Sequence, residues 1–127
     1  MKRLGLVAAL LVGLAAPAQA GKPIQQTRVQ VVAEEYDFAL SRRTVYTGPA
    51  VIQLANFGED PHDLRLHRIG GTKTFALGEV GPGDSSDLRT TLSTGRYVLW
   101  CSISDHRARG MEAQLVVKKK PKKKHRS

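Results

Sequence analysis

Tyr97-Val98-Leu99-Trp100-Cys101-Ser102-Ile103-Ser104-Asp105-His106-Arg107-Ala108-Arg109-Gly110-Met111 is the stretch on which the reading of this chain turns. It opens as an apolar, strand-like run that ends on the only cysteine of the chain. His106 and Met111 follow at equal intervals, giving C-x4-H-x4-M. A thiol, an imidazole and a thioether on one short loop suit a soft metal, copper above all. A histidine from a separate strand would complete a mononuclear donor set, and His62 is the candidate.

Taken alone, Cys101 has three readings: an inert buried thiol, an intermolecular disulfide or a metal ligand. Composition favours the buried thiol, and the neighbouring His106 and Met111 shift the balance toward the ligand. The compartment sharpens the question. Lys2 and Arg3 precede an apolar run from Leu4 to Ala16, and Ala18-Gln19-Ala20 offers the small residues that signal peptidase requires. Residues 1–20 therefore read as a signal peptide cut between Ala20 and Gly21, with a run too short to span a bilayer comfortably. With no second long apolar stretch, the mature protein is expected to be soluble and exported, to a periplasm or to the extracellular side or cell surface. Such compartments pair cysteines, and this one has no partner within the chain.

The net charge of +9 is unevenly placed. Lys2 and Arg3 belong to the leader, and seven Lys or Arg with no acid fill residues 118–127, which leaves residues 21–117 formally neutral. The positive charge thus describes an appended tail, expected to be disordered, rather than a nucleic-acid-binding domain. Such a tail suits an anionic membrane or cell-wall surface, at roughly 1 kcal/mol per basic residue close to a bilayer. His125 within it is expected to be solvated.

The body is long enough for one domain with a modest core. Val29–Val32, Tyr36–Leu40, Ala50–Ala55, His62–Arg68, Ser86–Thr90, Tyr97–Cys101 and Glu112–Val117 read as strands. Turn chemistry separates them at Thr47-Gly48-Pro49, Asn56-Phe57-Gly58, Gly70-Gly71, Gly81-Pro82-Gly83 and Thr94-Gly95. No window of helical length carries an apolar stripe at the helical period. An all-β sandwich or small barrel follows. Tyr97, after a tight turn, reads either as a tyrosine corner of a Greek-key sandwich or as an ordinary core aromatic. Strand parity puts Tyr97, Leu99 and Cys101 on one face and Val98 and Trp100 on the other. If that face is the inner one, Cys101 ends up shielded at the tip of the sandwich.

Asn56-Phe57-Gly58-Glu59-Asp60-Pro61-His62-Asp63 together with Tyr97–Met111 resembles the cupredoxins, the small blue copper proteins of plastocyanin and azurin type. The resemblance extends from about Val29 to Val117. It implies a Greek-key β-sandwich over residues 21–117 and one type 1 copper ion bound by His62, Cys101, His106 and Met111. Cys101 would supply the in-plane thiolate, His62 and His106 neutral imidazoles, and Met111 a long axial bond. His67, five residues past His62, would face away from the site as a surface residue.

Three features depart from the family pattern. Asp63 stands where cupredoxins often have an asparagine that ties the ligand loops together; ionised, it can accept a hydrogen bond from Ser102 but not donate one. Its charge near the thiolate would favour Cu(II) and lower the potential. The Cys-to-His spacing is longer than in plastocyanins, and the loop has no proline. Arg107 and Arg109 flank the histidine that in the family emerges through an apolar patch; exposed, they favour an acidic redox partner, and otherwise they pair locally with Asp105 or Glu112.

The function implied is a monomeric one-electron carrier between redox partner proteins. Copper binding and delivery in the cell envelope is the second reading, and a structural or interaction module the third. No carboxylate pair or Ser/His/Asp arrangement points to an enzyme, and four protein ligands would leave copper no open position.

Overall fold

The inner face of the first strand sets the pattern for the rest. In β1 (Thr27–Glu34), Val29, Val31 and Ala33 are buried while their neighbours face outward, the alternation of a half-buried strand. The computed structural model describes residues 5, 7–16, 21, 23 and 25–122. Eight further strands follow: β2 (Asp37–Leu40), β3 (Thr44–Tyr46), β4 (Gly48–Asn56), β5 (His62–Arg68), β6 (Thr74–Val80), β7 (Ser85–Leu92), β8 (Gly95–Trp100) and β9 (Glu112–Lys118). A single helical turn, α1 (His106–Arg109), lies between β8 and β9.

The strands form two facing sheets, β2-β1-β4-β7 and β3-β9-β8-β5-β6. The chain crosses from one sheet to the other five times, so sequence neighbours lie in different layers, as a Greek-key sandwich requires. Pairing is antiparallel except for β1 with β4 and β3 with β9. Between the sheets, Val31, Ile52, Leu54, Leu64, Leu66, Leu99 and Leu115 are fully buried. Among the described residues, every buried side-chain nitrogen or oxygen has a hydrogen-bond partner.

All seven expected strands form. The parity expected for β8 holds: Tyr97, Leu99 and Cys101 are buried, with Val98 and Trp100 only partly covered. The Tyr97 hydroxyl accepts a hydrogen bond from the Ser93 amide at 3.0 Å, which is the tyrosine-corner arrangement. Two strands carried too little local signal to be expected. β3 is three residues long and exists through its parallel pairing with β9. In β6 the alternation slips at Gly78-Glu79, where two residues stand against Asp63 alone between the His62–Val80 and Leu64–Leu77 pairs. This bulge returns Val80 to the core beside His62. Gly48 and Pro49, read as a turn, already belong to β4.

Within residues 7–16, Val7, Leu10, Leu11, Val12 and Leu14 are exposed. No helix among the described residues is long and apolar enough to cross a membrane. The proposed cleavage motif at Ala18–Ala20, and His125 of the tail, lie outside the described residues.

Candidate metal centre

Asn56, at the end of β4, prepares the approach to His62. Its side-chain amide donates to the carbonyls of Asp60 (2.7 Å) and Val80 (2.9 Å), and its Oδ1 accepts from the Gly58 amide (2.9 Å). The loop so pinned turns the amides of Glu59 and Asp60 toward the Glu35 carboxylate, which accepts both at 2.8 and 2.7 Å. These amide donors, together with His62, hold the Glu35 carboxyl down at about 2. A Cβ at Gly58 would run into the Glu35 carboxylate, which would have to move off these amides.

The same Oε1 lies 2.9 Å from His62 Nε2. An ionised carboxylate only accepts, so Nε2 carries the proton and the Nδ1 lone pair is left for the site. His62 is fully buried, and its Nδ1 lies 4.0 Å from Cys101 Sγ. Glu35 was not singled out in the sequence. It sits between β1 and β2, 27 residues before its histidine, and no spacing rule connects them.

After Cys101 the chain leaves β8 and makes the turn of α1, which presents His106. The His106 Nδ1 lies 3.6 Å from Cys101 Sγ, and its ring stands edge-on to His62 with centroids 5.1 Å apart. The loop is closed by backbone bonds: Cys101 N–H donates to Met111 C=O, and Met111 N–H to His106 C=O, both at 3.1 Å. Gly110, at φ +127°, makes this path feasible; a Cβ there would meet the Tyr36 carbonyl oxygen at 2.9 Å. Met111 itself is fully buried.

The donor atoms of His62, Cys101 and His106 all lie within 4.8 Å of one another. A trigonal ion with sulfur and nitrogen bonds of about 2.3 and 2.0 Å would need a sulfur–nitrogen separation of about 3.7 Å, and the two observed values, 3.6 and 4.0 Å, bracket it. Two neutral imidazoles and one thiol are a donor set for copper. Without metal, burial pushes the Cys101 thiol up, and Asp63's charge adds to this against opposing amides of Asp63 and Ile103. A bound cation reverses that balance.

Asp63 is buried and joins the two ligand segments. It accepts from the Ser102 amide at 2.6 Å and from the Ser102 hydroxyl. The hydroxyl contact was expected and the amide contact was not. Arg65 Nη2, 3.6 Å from Asp63 Oδ2, offsets part of the carboxylate's charge.

The surroundings of His106 depart from the apolar patch of the family pattern, as the flanking arginines implied. Its residue is only 7% exposed, and the Tyr36 ring covers it with centroids 4.9 Å apart. Arg109 lies over Tyr36 at 4.8 Å and pairs with Asp105 at 2.8 Å. Arg107 lies over Trp100 at 4.5 Å and pairs with Glu112 at 3.2 Å. Both arginines are therefore locally paired. His67 is partly exposed and turned toward the β5–β6 turn, with Nδ1 3.1 Å from the Lys73 carbonyl.

The sequence matches no family model and no curated protein. Solved structures do match. An auracyanin from Roseiflexus castenholzii is 19% identical with a TM-score of 0.59, covering 73% of this chain and 98% of its own. Auracyanin A, a "blue" copper protein from Chloroflexus aurantiacus, is 17% identical with a TM-score of 0.58, covering 74% and 100%. A copper nitrite reductase from Nitrosomonas europaea is 19% identical with a TM-score of 0.56, but only 42% of that chain is covered, against 76% of this one. The protein is thus a cupredoxin by fold, and its His62–Cys101–His106 cluster is suited to one copper ion.

Proposed function

We propose that this protein is an exported one-electron carrier in which His62, Cys101 and His106, with Met111 as a weaker fourth ligand, would hold a single type 1 copper. The observation that carries the reading is the donor cluster itself: three buried donors, already converged without metal. Bound copper supplies a one-electron couple; the protein supplies a geometry that has little need to change with oxidation state. Glu35 keeps His62 in the correct tautomer, Asp63 clamps the Cys101 loop to β5, and Met111 sits where the loop closes.

Burial of all three donors argues against the alternative, copper binding and delivery, which calls for easy ligand exchange. A catalytic role is disfavoured for a related reason. The match to a nitrite reductase covers under half of that chain, and the cluster here has no second group of candidate metal ligands beside it among the described residues. The bare apolar side chains of residues 7–16 add nothing to the core, which supports their role as a leader. The metal-bearing end, with exposed Phe57, is the surface we assign to redox partner proteins.

The test is to add Cu(II) to the purified protein and record its absorption and potential. An intense band near about 600 nm with reversible reduction supports the carrier. Colourless, Cu(I)-selective binding sinks it in favour of delivery, and no uptake removes both.

A further inference from the structure

The formally neutral body of this protein is divided by sign. All eleven acidic residues lie between the middle of the sandwich and the metal-bearing end. The opposite end, where β5 and β9 finish and β6 and β8 begin, carries Arg28, Arg68, Lys73, Arg96 and Lys118. Anions are drawn to such a pole from a distance.

At this pole the turn after β5, Arg68-Ile69-Gly70-Gly71-Thr72-Lys73, meets the β7–β8 turn, Thr91 to Gly95. Between them lies a cleft of about 170 Å³, lined by Arg68, Gly71, Thr72, Lys73, Thr91 and Ser93 among others. A single water needs only ~10–15 Å³ on this measure, so a tetrahedral oxyanion fits with room for solvent. The lining offers two cations and four hydroxyls, Tyr97 among them, with the Phe75 ring and no carboxylate.

Arg68 lies along the backbone of two glycines and is not neutralised. A Cβ on Gly71 would come within 3.4 Å of its Nε, and one on Gly95 within 3.2 Å of its Cδ. Two glycines therefore leave the space in which the long side chain lies flat. Among the described residues, neither Arg68 nor Lys73 takes part in an ion pair. This contrasts with Arg107 and Arg109 at the other end, which both have acidic partners. An unneutralised guanidinium beside a lysine and four hydroxyls suits the forked recognition of a phosphoryl group.

We infer that the Arg68–Lys73 cleft is a binding site for a phosphate-type oxyanion, remote from the metal centre. The ligand is either free inorganic phosphate or the phosphomonoester headgroup of a lipid such as phosphatidic acid. In the lipid case, the metal-bearing end would point away from the membrane.

The test is an amide NMR titration of the protein with inorganic phosphate, at ionic strength held constant with chloride. Saturable shifts at Gly71, Thr72 and Ser93 are expected, weakened about tenfold in Arg68→Gln and less in Lys73→Gln. Unchanged Leu99 and Leu115 amides in each variant show that the fold is intact. A second arm sediments the protein with phosphatidylcholine vesicles, with and without phosphatidic acid. Recruitment that Arg68→Gln abolishes identifies the headgroup; saturable phosphate binding without such recruitment identifies the free anion. Shifts that fail to saturate, that chloride reproduces, or that survive Arg68→Gln unchanged overturn the site.

Discussion

Replacing Glu35 by Gln tests how the metal centre is held. The carboxylate accepts three hydrogen bonds at 2.7, 2.8 and 2.9 Å, from two loop amides and from His62 Nε2. All three reach Oε1, so a glutamine with its amide oxygen in that place still accepts them, and the substitution removes the charge while putting an amide NH2 where Oε2 stood. The bonds to His62 Nε2 and to the two loop amides become neutral ones, about half as strong, so the hold on the His62 tautomer and on the loop before it loosens. Outer partners of this kind are typically worth about 10–100-fold in metal affinity, so copper affinity in Glu35→Gln should fall by that factor, as read by competition with a calibrated chelator. The pH dependence supplies an independent check. The Glu35 carboxyl is held at about 2 in the folded protein, against an ordinary 4.5. Its stabilising contribution is therefore fully present above about pH 4.5 and is lost as pH falls through about 2. The difference in thermal stability between the native protein and Glu35→Gln should be flat from neutral pH down to about 5 and close only below it. Equal copper affinities, or a difference that varies between pH 6 and 8, would refute the assigned role.

Asp63→Asn should raise the reduction potential by on the order of tens of millivolts, limited by the partial compensation from Arg65; voltammetry giving an unchanged or lower value counts against the field argument. Gly110→Ala combines a left-handed backbone with a Cβ 2.9 Å from the Tyr36 carbonyl. A loss of about 1–3 kcal/mol is expected, read as a fall of roughly 5–20 °C in Tm, and a native-like melt would show that the loop relaxes freely. Tyr97→Phe removes the acceptor of the Ser93 amide. Because that amide can be rehydrated, the cost should be about 1 kcal/mol in chemical denaturation, and a loss of several would mean that Tyr97 does more than close the corner.

What could be read in the sequence was what local patterning controls. Alternation revealed seven strands, and parity placed Cys101 on the buried face of β8. His62, Cys101 and His106 were legible because their side-chain chemistry is specific and two of them share a loop. The parts that stayed hidden depend on contacts distant in sequence. β3 is defined by a partner more than seventy residues away. The Glu35–His62 contact joins the β1–β2 turn to β5, and the paired arginines of α1 find partners that spacing alone left open. The neutrality of residues 21–117 was equally visible, but its division between two poles required the strand directions.

Glu35 and Tyr36 are adjacent in the turn between β1 and β2, yet they serve different ligands: one grips His62 and the other covers His106. An ion entering or leaving by the His106 side must displace the Tyr36 ring, and moving that residue disturbs its neighbour's hold on His62. Opening this hairpin and exchanging the metal thus become one event. The rate at which a chelator strips the protein should then follow the breathing of a single turn, as hydrogen exchange at residues 34–37 would report, rather than the chelator's strength.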